Sequence, residues 1–276
     1  MTAWRQHFEW ELTESDWATV LGRWLPRFAP GASGAALHGL IRVGHAVRGL
    51  TALETAPRRR EFAAALACWA ASYAELPTRR EVVETTLSPH EALALVRPVP
   101  WSQRRNTGAI TGALKVLDDQ AAFATAIDLP AVEGDLRAVT EAFAVLFAKV
   151  FLANVRTPLE AIVFTHGVTG FVAAEALLPY LGHEVGADLI RYVWQAAAGL
   201  YATYGGHLPP ESVASPDGRA AVDLIDAAVA HGDDHVIKLT HACLHLVARR
   251  ALGLALLLPQ LALSLLPPAY AEVIVQ

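Results

Sequence analysis

At 276 residues, with 54% hydrophobic and 18% charged side chains, the chain is long enough to bury a sizeable core in one large domain or two small ones. Its net charge of −5 and isoelectric point near 6.1 exclude the basic footprint of a nucleic-acid-binding protein. Two cysteines, Cys68 and Cys243, are too few for a disulfide framework, and a reduced, cytoplasmic compartment fits them better.

The N-terminal stretch MTAWRQHFEWELTESDW is polar and acidic where a signal peptide is apolar. From residue 15 onward helical periodicity dominates, and apolar/polar alternation is nearly absent. The pattern predicts helices at 15–27, 33–54, 58–75, 89–96, 107–118, 120–127, 131–154, 158–181, 186–204, 217–230, 233–250 and 252–266. Breakers such as Pro57, Pro77, Pro98, Pro130, the Gly205-Gly206 pair and Pro216 separate most of them. Ser33 precedes the long 33–54 pattern. Ser88-Pro89 places a capping hydroxyl before a first-turn proline, and Thr157-Pro158-Leu159-Glu160 carries the glutamate of a capping box. No long Gly/Ser/Pro linker and no fixed-period repeat interrupts the chain. The expected fold is therefore all-α, a compact multi-helix bundle in a single domain over residues 1–276.

The most apolar segment, Ala251–Leu266, is broken by Pro259 and Gln260. A membrane span wants about 20 uninterrupted apolar residues, so this segment reads as a core or interface helix pair, compatible with a homodimer.

Six of the eleven histidines fall on three of the predicted helices. A helix turns about 100° per residue, so positions three, four and seven apart share a face. His38, Arg42, His45, Gly49 and Ala52 form one stripe, opposite Leu40, Val43, Val47 and Leu50. His166 shares an apolar face with Ile162, Val163, Gly170 and Ala173, and a buried imidazole there must bond something. Gly167 and Gly170 beside it point to close packing or a nearby ligand. The third stripe holds His231, His235, Lys238, Ala242 and His245, with His241 nearby. Each stripe also fits a plain structural role, as a solvated polar face or a hydrogen-bonded core histidine. The clustering suggests a metal site, since imidazole is the commonest transition-metal ligand. There is no HExxH, CxxC or His-Asp dipeptide to sharpen that reading.

Three segments together resemble the questin oxidase-like family. They are His38-Gly39-Leu40-Ile41-Arg42 running on to His45-Ala46-Val47-Arg48, then Thr165-His166-Gly167-Val168-Thr169-Gly170, then Asp234-His235-Val236-Ile237-Lys238-Leu239-Thr240. Trp101–Asp119 is similar to a stretch that such proteins carry between the first two. The resemblance implies a largely helical protein that acts oxidatively on polycyclic aromatic ketones, opening a ring by oxygen insertion. It also implies a mononuclear non-haem iron, held by histidines and a carboxylated lysine. Carried onto this chain, the implied ligands are His38, His45, His166 and His235, with Lys238 as the carboxylated lysine. Arg42, on the first stripe, and His241, near Lys238, become the candidate catalytic groups outside the ligand set.

The residue types suit that chemistry. Carboxylation needs a neutral amine, whereas a free lysine has a pKa of about 10.4; burial and a nearby cation favour the neutral form. Several imidazoles plus one anionic oxygen suit Fe(II), and also Zn(II) or Mn(II). The expected partners are dioxygen and a small aromatic or polyketide-like substrate, with external NADPH as a candidate reductant, because no built-in nucleotide motif is present. Phe164, Phe171, Tyr180, Tyr192, Trp194, Tyr201 and Tyr204 would either line an aromatic pocket or pack the core. Two other readings stay open. One is a metal-dependent hydrolase, with Asp233 and Asp234 beside His235. The other is a helical interaction protein that docks through its apolar C-terminal segment.

Overall fold

The computed structural model describes residues 1–80, 85–105, 108–211, 221–248 and 253–269. Among these the chain forms twelve α-helices and no strand: α1 Thr2–Glu14, α2 Trp17–Phe28, α3 His38–Ala52, α4 Ala56–Ala71, α5 Pro89–Leu95, α6 Ile110–Leu114, α7 Leu136–Asn154, α8 Pro158–Leu177, α9 His183–Tyr204, α10 Ala221–His231, α11 Asp234–Ala248 and α12 Leu257–Leu265. The all-α bundle read from the sequence is the fold observed.

The expected Ser88 cap and the expected Thr157–Glu160 capping box both form, and Ser88 turns out to close a box as well. Ser88 and Glu91 close one at α5, and Thr157 and Glu160 close the other at α8, each worth about 1 kcal/mol. Ser33 behaves differently. Its hydroxyl donates to the Ala74 carbonyl at 2.6 Å and caps no helix. The helix expected from residue 33 begins only at His38. Ala35, Ala36 and Leu37 have φ of 46°, 53° and 69°, a left-handed turn that no right-handed helix can include. Gly34 permits it, because a β-carbon there would lie 1.9 Å from the Ser72 carbonyl oxygen. In the other direction, α1 forms where no helix was expected. It buries only Phe8, Glu11 and Leu12, too few positions to leave a readable stripe. Glu11 stays buried because Arg23 and the Trp24 indole donate to it at 2.5 and 3.0 Å. The helix expected to start at 217 and the junction after 248 run into residues outside the described set.

α8 is the core of the molecule. Fifteen of its side chains and glycines are buried, from Ala161 to Leu177, against α7, α9, α3 and α11. By length and composition Pro158–Tyr180 could cross a membrane, but 83% of its most apolar window is buried inside the protein, as in a core helix. Phe143 stacks on Phe171 at 5.1 Å, and Trp194 lies 5.4 Å from Phe143. Such rings each contribute about 1.5–3 kcal/mol by burial. In the C-terminal segment, α12 starts with Pro259 in its first turn and buries Leu258, Pro259 and Ala262; this part of the segment packs as core.

The candidate site histidines lie on three helices, α3, α8 and α11, which run side by side in the same direction. His38 meets His166, Gly44 meets Ala173, and Thr51 meets Tyr180 just beyond α8. On the other flank His235 meets His166, and His245 meets Glu175. Parallel register brings the start of α3 and the start of α11 to the middle of α8.

Candidate metal centre

His38 is the first residue of α3. The left-handed turn before it aims the Ala35 carbonyl at the His38 ring, and Nδ1 bonds that oxygen at 2.5 Å. A carbonyl only accepts, so Nδ1 carries the proton and Nε2 keeps a lone pair. That lone pair faces His166 Nε2 at 3.4 Å. His166 is 1% exposed and comes from the middle of α8. The third ring, His235, sits in the first turn of α11. Asp233 fixes that turn, its Oδ1 accepting the His235 and Val236 amides at 2.8 and 3.2 Å. The ring centroids lie 4.6 Å apart for His38–His166, 5.5 Å for His166–His235 and 6.3 Å for His38–His235. One nitrogen from each ring falls within 4.8 Å of the others.

These contacts are poorly satisfied without a cation. The Nδ1 atom of His166 is buried and makes no full hydrogen bond, and that of His235 has only the off-line carboxylates of Asp234 and Asp233, at 3.2 and 3.5 Å. If His166 places its proton on Nδ1, towards the Ile162 carbonyl one turn back, then two lone pairs face each other across 3.4 Å. If it places the proton on Nε2, Nδ1 is left as a buried acceptor beside a carbonyl. A shared cation resolves both cases. Two nitrogens each about 2.1 Å from one tetrahedral metal stand about 3.4 Å apart, so the observed spacing suits a metal ion. The Ala35 carbonyl behind His38 is the kind of outer partner that fixes the tautomer of a metal-binding histidine.

Electrostatics favour the ligating, neutral form of His166 and His235. Burial, then His38, His235 and Lys238, hold His166 down to about 3. Burial and Lys238 also push His235 below its ordinary value, against the pull of Asp234 and Asp233.

The other expected site residues lie around this triad. Lys238, one turn after His235, is half-buried, and its Nζ is 2.6 Å from Asp234 Oδ2. It lines a cleft of about 580 Å³ with His38, Ile41, Arg42 and His45. His45 lies outside the triad. Its ring turns to His241 at 5.4 Å, and packing of the ring, then Arg48, His241 and Lys238, lower it to about 4 although one side meets solvent. Arg42 donates twice to Glu61 on α4, at 2.8 and 3.1 Å, so its guanidinium is paired with a carboxylate at the rim of the cleft. Phe164, Phe171 and Trp194 pack the core, and none of the seven aromatics lines this cleft. Gly167 and Gly170 prove to be packing positions, against Phe147 and Leu37.

Sequence reasoning missed the Ala35 carbonyl, the Asp233 cap, Glu61 and Glu175. Glu175 left a signal, as the one acid beyond the first turn of the apolar α8, and so did Asp233, an aspartate at the head of a predicted helix. A family model described as Questin oxidase-like matches residues 1–243 of the chain. No curated protein and no solved structure gives a significant match.

Proposed function

Because the chain belongs to the Questin oxidase-like family, whose membership supports an oxidoreductase-like role, we propose that it is an iron-dependent oxygenase. Its substrate is a polycyclic aromatic or polyketide-like ketone, which it opens by oxygen insertion or carbon–carbon cleavage. The observation that carries this reading is the convergence of His38, His166 and His235, three imidazoles from separate helices. They would hold the metal, and Lys238 in its carboxylated form would add an anionic oxygen. Iron bound there supplies the activation of dioxygen.

The chain's own residues do the rest. The Ala35 carbonyl keeps the proton of His38 on Nδ1, away from the metal side. Asp233 anchors the first turn of α11 so that His235 faces inward. Burial of His166 keeps water from one side of the centre. The cleft beside Lys238 takes the substrate, its size within the range of about 300–1,000 Å³ typical of small-molecule sites. The Arg42–Glu61 pair orients a ketone or phenol oxygen at its rim. Inserting one atom of dioxygen leaves the other as water and consumes two electrons, which external NADPH would supply.

Metal analysis of protein purified without chelator tests this reading, with oxygen uptake measured on a polycyclic hydroxy-ketone. One iron per chain, lost in His166→Ala, together with substrate-dependent oxygen uptake, is expected. No metal in the wild type, or metal content indifferent to His166→Ala, would sink it. The group Asp233, Asp234 and His235 favours one rival, a zinc hydrolase; zinc in the site with turnover in the absence of oxygen would identify that instead.

A further inference from the structure

Further along the same three helices lies a second polar cluster. Arg48 is ten residues beyond His38, Glu175 nine beyond His166 and His245 ten beyond His235, a separation of about 15 Å along the helices. The cluster opens onto a cleft of about 790 Å³, larger than the one beside the triad. Its walls are mostly apolar, including Ala52, Leu136, Ala176 and Leu181, and its polar groups gather around Glu175.

Glu175 is 7% exposed, and a carboxylate so buried needs partners. Oε1 accepts from Arg137 Nε at 2.8 Å, and Oε2 pairs with His245 Nε2 at 2.7 Å. A carboxylate fixes a histidine tautomer: with Nε2 donating, His245 keeps its lone pair on Nδ1, and no described protein group bonds that atom. Arg48 is half-buried beside them and donates to the Val172 carbonyl. His183 also lines the cleft, and His241 lies one turn before His245 on α11. The result is an imidazole base backed by a carboxylate, with two guanidiniums beside it, at the end of an apolar cleft.

We propose that this cleft is a second binding site, for an aromatic molecule that carries one acidic hydroxyl, a phenol or an enol. His245 Nδ1 takes the hydroxyl proton: the O–H bond breaks, an N–H bond forms, and Glu175 faces the resulting imidazolium. Arg48 and Arg137 hold the oxyanion left on the ligand. The alternatives fit less well. An organic cation meets two arginines, and a ligand that is already an anion brings no proton to Nδ1. The site uses no metal ligand and stands independently of the oxygenase reading.

Titration with 2-naphthol, in chelator-treated protein, tests it through the absorbance of the naphtholate form. Saturable one-site binding with a naphtholate signature is expected at neutral pH. 2-Methoxynaphthalene, with no acidic proton, should bind about tenfold more weakly or worse. His245→Gln should remove the naphtholate signature. Ala176→Trp, which fills the cleft from its apolar wall, should abolish binding and decides the matter if the first variant fails to fold. No saturable binding, equal binding of the methoxy compound, or binding indifferent to Ala176→Trp would overturn the proposal. Loss of binding in His38→Ala, which would place the ligand in the other cleft, would overturn it as well.

Discussion

Gly44 of α3 lies against Ala173 of α8 with no room for another carbon: a β-carbon at 44 would fall 2.8 Å from the Ala173 β-carbon and 3.0 Å from its carbonyl oxygen. This close approach, six residues from His38 and seven from His166, sets the spacing of α3 and α8 and so the 3.4 Å gap between the two rings. Gly44→Ala should therefore destabilise the protein by about 1–3 kcal/mol through overpacking, even though alanine is the better helix former by about 1 kcal/mol. It should also weaken metal uptake in the fraction that folds. Thermal melts and metal titration read both effects; a melting temperature equal to or above wild type would mean that the helices do not touch there.

The turn before His38 makes a prediction of opposite sign. Ala35 stands at φ 46°, ψ 37°, a left-handed conformation that costs an alanine about 1–2 kcal/mol and a glycine almost nothing. In an ordinary helix Ala→Gly destabilises by about 1 kcal/mol. Here Ala35→Gly should leave stability unchanged or raise it by up to about 1 kcal/mol, after allowing for the extra freedom of the unfolded chain. A loss of helical size in a denaturant melt would show that residue 35 is right-handed, and the Ala35–His38 contact would go with it.

That turn also marks the limit of what could be read from residues alone. Periodicity exposed the stripe of α3 and its buried opposite face, Leu40, Val43, Val47 and Leu50. It also exposed the apolar surround of His166, because helical burial repeats every 3.6 residues. It could not place the start of α3, since three alanine or leucine residues with positive φ are held by packing and carry no glycine or asparagine to announce them. Nor could it sort His38 from His45. Both sit on one stripe, and the choice between them depends on the parallel register of α3, α8 and α11, which only tertiary structure supplies. Arg42 shows the same limit: its partner Glu61 lies on a neighbouring helix.

Acid should loosen the metal-free protein through His166. Its imidazole is held down to about 3 in the fold, whereas an unfolded histidine titrates near 6.5. Between those values the unfolded chain binds more protons than the native one, so the stabilising contribution is complete above about pH 6.5 and shrinks as pH falls. The slope is up to about 1.4 kcal/mol per pH unit. His235, lowered chiefly by burial, acts in the same direction. Urea midpoints of chelator-treated protein between about pH 7 and about pH 5, above the carboxylate range, should fall, and His166→Phe should flatten the trend. A wild-type profile already flat would contradict a neutral, buried imidazole.

The last prediction concerns which group supplies the anionic oxygen. Lys238 Nζ now bonds Asp234 Oδ2 at 2.6 Å. Burial, the largest single influence, tends to raise the Asp234 carboxyl, but this bond together with the charges of Lys238, His235 and His38 holds the group below its usual range. Carboxylation turns Lys238 from cation to anion, and the attraction becomes repulsion. Asp234 has room to swing away, its side chain being 70% exposed. If the carbamate is the ligand, Lys238→Ala should lower metal affinity by at least the roughly 10–100-fold cost of an outer-sphere loss, and added acetate should restore part of it by filling the vacated oxygen position. Asp234→Asn should hold metal as well as wild type or better, because it frees the amine. The reverse pattern, with Asp234→Asn losing the metal and Lys238→Ala keeping it, would assign the oxygen to Asp234 and leave Lys238 as its counter-charge. Metal content per chain, measured on both variants with and without acetate, separates the two.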